Sequence, residues 1–255
     1  MSTGWKGRPR FYGEVKVSHN HNHPELWEIE LDGRKLRTPG HAMFQLPTKG
    51  LAALVAQEWD AQVCVLETSL MPVTMTCATA IDLTSTRRPA IITELLRYLN
   101  TDIVCFPQRP LPESDEQSGE SKKLRHEQNA RWDHALKHFV SQYGALEILD
   151  SDTLRSPKHD QHAYDRAKTR LEQLNDFDLT AVHELAKGCK SLVIPLALLD
   201  RKITAQEACK AARVEEDHQI GNWGLVEGAH DVESESLMAQ ITSASMILWL
   251  SSPTS

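Results

Sequence analysis

Apolar positions recur at period two in the first 50 residues and at helical spacing through most of the remaining chain. In LWEIELDGRKLRTPG (26–40), Trp27, Ile29 and Leu31 alternate with acidic residues. The Asp-Gly pair after them predicts a tight turn into a second strand. RFYGEVKV (10–17) alternates bulky and polar residues, and AMFQLP (42–47) reads as a short strand closed by Pro47. The period then changes. Thr48 is placed to cap a helix through GLAALVAQEWDAQ (50–62), with Leu51, Leu54, Val55 and Trp59 at helical spacing. SLMPVTMTCATAID (69–82) predicts an extended entry and a short helix. RRPAIITELLRYLNTD (87–102) predicts an amphipathic helix with Pro89 in its first turn.

PQRPLPESDEQSGESKK (107–123) is rich in Pro, Ser and Glu and nearly devoid of apolar residues, which predicts a mobile loop. Helical patterns occupy 124–144, 162–175, 179–200 and 204–219. In the last of these Thr204 and Glu207 have capping-box spacing. A final helix carries Leu237, Ile241, Ala244 and Leu248 on one stripe. Strands first and helices afterwards give an α+β fold. The expected division is a β-rich N-terminal domain with flanking helices over 1–100 and an α-helical C-terminal domain over 101–255.

Composition narrows the function. A net charge of −7 with no Lys/Arg run argues against a nucleic-acid binder. The longest apolar stretch, SLVIPLALLD (191–200), is too short to insert across a membrane. The scattered cysteines Cys64, Cys77, Cys105, Cys189 and Cys209 contain no C-x-x-C pair and read as free thiols in a reducing compartment. The opening MSTGWKGRPRFYG has the form of neither a secretory signal nor a full-length presequence. That implies a chain that is not imported or one that begins near a mature end.

Candidate chemistry gathers in RVEEDHQIGNWGLVEGAHD (213–231). His218 has no partner at i+4 or i−4 that completes a helical zinc pair, and no G-x-S-x-G elbow accompanies His230 and Asp231. HNHNH (19–23) reads as a polar loop rather than a metal site, although three imidazoles on one side of an extended segment could bind a metal. On one helix from Thr204, the stripe Ala208, Ala212, Glu215, Gln219 makes the carboxylates continue the small apolar face. Glu215, Glu216 and Asp217 would then sit at a helix C-terminus, where the macrodipole disfavours them by roughly 0.3–1 kcal/mol each. Either that placement marks a functional surface, or Arg213 screens Glu216 and Asp217 in a weak surface network. Glu58 likewise borders an apolar face beside Trp59, with a neighbouring backbone as its ordinary hydrogen-bond partner.

Stretches along almost the whole chain carry a resemblance: RFYGEVKV, LDGRKLRTP, LPTKGLAALVAQEWDAQ, MPVTMTCATAID, YLNTDIVCF, RWDHALKHF, KSLVIPLALLD and VEEDHQIGNWGLVEGAHD. In this order and spacing they resemble the mitochondrial ATP synthase assembly chaperones that bind the free alpha subunit of the catalytic head (assembly factor 2). The resemblance implies a chaperone, not an enzyme, that needs no cofactor. It would keep the alpha subunit soluble until the beta subunit displaces it. It also implies a mitochondrial matrix location, with the cytoplasm as the site of some bacterial members; the free chain is expected to be a monomer. The family's late acidic segment maps onto Glu215, Glu216 and Asp217, with Gln219 after them, and its W-D-x-Q helix onto Trp59, Asp60 and Gln62. The expected partner-binding set is Glu215, Glu216, Asp217, Gln219 and Trp223, with Glu58. The sequence departs from the family in a longer 107–123 loop and in WDH at 132–134 for W-D-P. The competing function is a metal-dependent hydrolase built from the His and acidic clusters.

Overall fold

The computed structural model describes residues 4–223 and 230–252, without the side chains of 223 and 230–233. It is α+β. Two compact units are present, one made of residues 1–88, 174–181 and 243–255 and the other of 89–173 and 182–242. Three of their four boundaries fall inside the helices α3 (Ser85–Tyr98), α6 (Asp176–Cys189) and α10 (His230–Leu250), and the fourth, at 173/174, falls just before α6.

The first unit is built on an antiparallel sheet of β1 (Val15–His19), β2 (Trp27–Leu31), β3 (Arg34–Lys35) and β4 (Gln45–Leu46). Val17 pairs with Ile29, and Leu31 with Arg34 across the predicted two-residue turn. Asp32 and Gly33 have φ of 48° and 75°, the left-handed pair that this tight turn requires. In the HNHNH segment the Asn20 side-chain oxygen accepts from the amides of Asn22 (2.8 Å) and His23 (2.9 Å), folding the loop on itself. His19 turns aside against the Trp27 ring, and His23 faces Glu25, so the histidines do not converge.

Helix α1 (Lys49–Asp60) packs on this sheet, its first turn capped by the Thr48 hydroxyl as the sequence predicts. Trp59 is fully buried, with the rings of Trp5 and Tyr12 at 5.2 and 5.6 Å. The Tyr12 hydroxyl donates to the Trp59 carbonyl at 2.7 Å. Helix α2 (Pro72–Thr79) runs through a π turn at Ala80–Thr84 into α3. The sequence places Pro89 in the first turn of a helix that begins at 87, but Pro89 lies inside α3. The wider turn just upstream is the kind of adjustment that lets a helix continue past a residue with no N–H.

The second unit is helical. Its long helix α4 (Ser118–Gln142) packs against α7 (Val193–Leu199), α8 (Ala205–Ala212) and α9 (Val214–Trp223), while α5 (Gln161–Glu172) comes after α4 in the chain. Helix α4 starts six residues before the predicted 124, inside the segment read as loop. Ser121 and Ser118 exchange hydrogen bonds with the backbone of Leu111, so polar residues are recruited by tertiary contacts that composition does not reveal. Asp102 is fully buried and accepts the amides of Leu192 (2.7 Å) and Val193 (3.1 Å), closing the free N-terminus of α7. Burial pushes its carboxyl up to about 6, against the opposing pull of these hydrogen bonds.

Candidate functional site

Helix α8 opens with the predicted capping box. The Thr204 hydroxyl accepts from the Glu207 amide, and the Glu207 carboxylate accepts from the Thr204 amide. The helix does not continue to residue 219. It ends at Ala212, Arg213 turns out of it at φ −108° and ψ 13°, and α9 begins at Val214. The cause lies on α4. Trp132 Nε1 donates to the Ala211 carbonyl at 2.9 Å and Arg131 Nη1 to the Lys210 carbonyl at 3.1 Å, satisfying acceptors that a longer helix would use internally.

This break corrects the sequence reading of the acidic cluster. Glu215, Glu216 and Asp217 occupy the first turn of α9, not the last turn of a longer helix. The macrodipole therefore favours them, and no electrostatic rule is broken. Each has a different setting. Asp217 is half-buried and accepts Arg131 Nη1 at 2.6 Å, with Arg213 Nε at 3.5 Å. Glu215 is exposed, and its described side-chain partner is the neutral Gln128, whose Nε2 lies at 2.9 Å. Gln128 is itself buried, with its oxygen held by the Gln108 amide at 2.7 Å, so Glu215 is aimed by a fixed donor. Among the described residues Glu216 has its ion-pair partner in Lys190, at 4.0 Å.

One turn further on, the buried His218 ring lies between Glu127 (3.1 Å) and Glu120 (3.4 Å), and Asn222 donates to Glu120 at 2.6 Å. Gln219 is exposed and, with Asn222, Leu111 and Leu124, lines a groove of about 530 Å³. The backbone of Trp223 closes α9, and its side chain lies outside the described residues. The result is an acidic rim. The carboxylates of Glu120, Glu127, Glu215, Glu216 and Asp217 outnumber the cations of Arg131, Arg213 and Lys190.

Glu58 does not share this site. Its oxygens accept the amides of Val73 (2.9 Å) and Thr74 (2.7 Å) and the Thr74 hydroxyl (2.6 Å), capping the N-terminus of α2 from α1. Burial raises its carboxyl above the ordinary value despite those donors. The α4 residues that organise the acidic rim, Gln128 and Arg131, are absent from the sequence reading. The available signal is a buried glutamine on the same helical stripe as Trp132, Ala135 and Phe139. Among the described residues, no three His, Cys, Asp or Glu side chains are grouped to hold a metal ion, which leaves the hydrolase reading without a centre there. No helix among those residues is long and apolar enough to cross a membrane.

The model of the ATP12 chaperone protein family matches residues 9–140. The chain belongs to the ATP12 chaperone family. Membership makes it an assembly chaperone for ATP synthase. It is 28% identical to protein atp12, mitochondrial, of Schizosaccharomyces pombe over 230 residues, covering 86% of this chain and 76% of that one. Against protein ATP12, mitochondrial, of Saccharomyces cerevisiae it is 26% identical over 280 residues, covering 94% and 84%. The crystal structure of Atp12 from Paracoccus denitrificans superposes with a TM-score of 0.80 at 28% identity, over 97% of this chain and 100% of that one. The α+β layout thus recurs in a solved ATP12 protein, and the matched family region ends on α4, the helix that positions the acidic rim.

Proposed function

We propose that this chain binds the unassembled alpha subunit of the ATP synthase catalytic head, keeps it from aggregating, and leaves when the beta subunit takes its place. It acts by binding rather than catalysis, without a cofactor, as a monomer when free. The mitochondrial names of its relatives support a mitochondrial location, and the matrix is the compartment where such a client is assembled. The observation that carries the reading is Glu215: an exposed carboxylate with no cation partner among the described residues, aimed by the buried Gln128 at the start of α9. A fixed, uncompensated charge beside a groove gives a partner with a basic patch both attraction and register. Glu216, Asp217, Gln219 and Trp223 complete the contact, while Glu58 supports the fold through α2.

Co-expression with the alpha subunit, then size-exclusion chromatography, tests this. The expected result is a soluble one-to-one pair that dissociates when beta subunit is added. An alpha subunit that aggregates to the same extent with and without this chain would overturn the reading.

A further inference from the structure

At the C-terminal end of α4, about two turns beyond Arg131, lies a polar pocket that the acidic rim does not use. Its volume of about 440 Å³ is in the range of small-ligand sites. Arg166, Arg170 and Gln173, at i, i+4 and i+7 along α5 and its cap, give it one wall, beside the buried stripe of Ala163, Ala167 and Leu171. Asp200, just past α7, ties this wall to α4. One of its oxygens accepts His138 Nε2 (2.9 Å) and the Tyr143 hydroxyl (2.7 Å), and the other accepts Arg170 Nε (3.3 Å) and Nη2 (2.9 Å). Burial pushes the Asp200 carboxyl up, but Tyr143, His138 and Arg170 together hold it below the ordinary value, so it stays ionised. The side-on pairing fixes the Arg170 guanidinium and leaves its Nη1 without a hydrogen-bond partner among the described residues.

Two more cations line the pocket, and neither has a carboxylate among the described residues. Arg166 gives Nη1 to the Gln142 carbonyl at 3.3 Å, and the exposed Lys202 has no side-chain partner there. The last carbonyls of α7 are served by the backbone amides of Asp200, Arg201 and Lys202, so the Lys202 ammonium is not spent as a helix cap. The neighbouring acids of α5 are engaged elsewhere, Asp165 with Gln161 and Glu172 with Lys168. Leaving His138 aside, the lining holds three cations against one carboxylate, in a chain of net charge −7. We infer that this pocket binds a phosphate group, as free inorganic phosphate or as the head of a compact phosphate ester. Such a group carries about −1.5 to −2 charge at neutral pH and three strong acceptor oxygens, which matches the excess cations and their unspent donors. A single carboxylate would leave one of those cations unmatched. The rings in the lining, Tyr143 and His138, are buried and bound to Asp200, so no platform awaits a nucleotide base. Asp200 is a positioning residue that aims Arg170. The inference is independent of the chaperone reading and of the acidic rim.

The test is calorimetric titration of the full chain in phosphate-free buffer at fixed ionic strength, with inorganic phosphate, glycerol phosphate, AMP and succinate. Inorganic phosphate should saturate a single site, the two esters should bind with similar affinity, and succinate should bind more weakly. Arg166→Ala and Lys202→Ala, at exposed positions where the melt should be preserved, should each weaken phosphate by about tenfold. Lys168→Ala removes the same charge from the α5 pair with Glu172 and should leave the affinity unchanged, as should Glu215→Gln. Four results would each overturn the inference. Titration without saturation would mean a solvated surface, and an equal loss with Lys168→Ala would mean attraction by net charge alone. Succinate as tight as phosphate would mean a site for any dianion. AMP far tighter than inorganic phosphate would mean that the base, not the phosphate, is recognised.

Discussion

Glu58 on α1 and Glu215 on α9 look alike in the sequence, each a carboxylate extending an apolar helical stripe, yet they do opposite work. Glu58 turns inward and accepts two amides and a hydroxyl at the open N-terminus of α2. Glu215 stays in solvent, at the N-terminus of its own helix, with one neutral side chain to fix its direction. What separates them is the location of the nearest unsatisfied amides. For Glu58 these belong to another helix and must be served from outside. Glu215 stands in the first turn of its own helix, and its carboxylate stays exposed. A carboxylate beside an apolar stripe therefore signals a cap as readily as a binding surface.

The largest effect expected from breaking this comparison is on the capping side. Glu58→Ala leaves two amides and a hydroxyl without their acceptor in a part-buried setting, at a cost of about 3–4 kcal/mol. Urea unfolding should show it as a lower midpoint with the slope unchanged. A variant as stable as the parent would mean that water serves the α2 amides equally well.

Asp102, the other capping carboxylate, sharpens the contrast through pH. Its folded value of about 6 lies above the ordinary 3.8, so the folded chain holds the extra proton between them. Its contribution to stability is therefore full below about pH 4 and is lost as pH rises through about 6, on the order of 2–3 kcal/mol. Comparing urea unfolding at pH 4 and pH 7 for the parent and Asp102→Asn isolates this slope. The variant should lose less stability across the interval than the parent, and equal slopes would show that folding leaves the Asp102 carboxyl at its ordinary value.

Much of the frame is legible in local pattern. The Asp-Gly hairpin, the Thr48 cap and the Thr204–Glu207 capping box depend on residues a few positions apart, and the structure contains each. The break between α8 and α9 is not legible in this way. It depends on Trp132 and Arg131 reaching carbonyls 79 positions further along the chain. Those two contacts reversed the electrostatic reading of the site while leaving its residues in place. The early start of α4 escaped for the same reason, since its serines bond to Leu111 rather than to an apolar face.

Asp217 lies between the two extremes, part structural and part surface. Asp217→Ala strips the charge partner from Arg131 and from the largely buried Arg213, and should cost about 1–2 kcal/mol, less at high salt. Thermal melts at low and high ionic strength would measure it. Identical melts for variant and parent at both salts would assign Asp217 wholly to the surface.

The smallest change in stability should come from Glu215→Gln with Glu216→Gln. Read as residues of a helix C-terminus, these carboxylates ought to be neutral or costly, and their removal ought to raise the melt slightly. At the N-terminus of α9 the sign reverses: their loss should lower stability, by under about 1 kcal/mol in all because Glu215 is exposed and Glu216 partly so. Gln128 can still donate to an amide oxygen at position 215, so the local geometry survives. The affinity for alpha subunit should respond far more. If the carboxylates meet basic groups in a buried contact, it falls by on the order of 2–5 kcal/mol, and by much less at a rim. A melt and a titration on the same preparation separate the two effects. A rise in melting temperature would restore the C-terminal picture of this helix. Unchanged affinity would leave Glu215 and Glu216 as ordinary solvated charges and shift the search for the client surface to the rest of the groove.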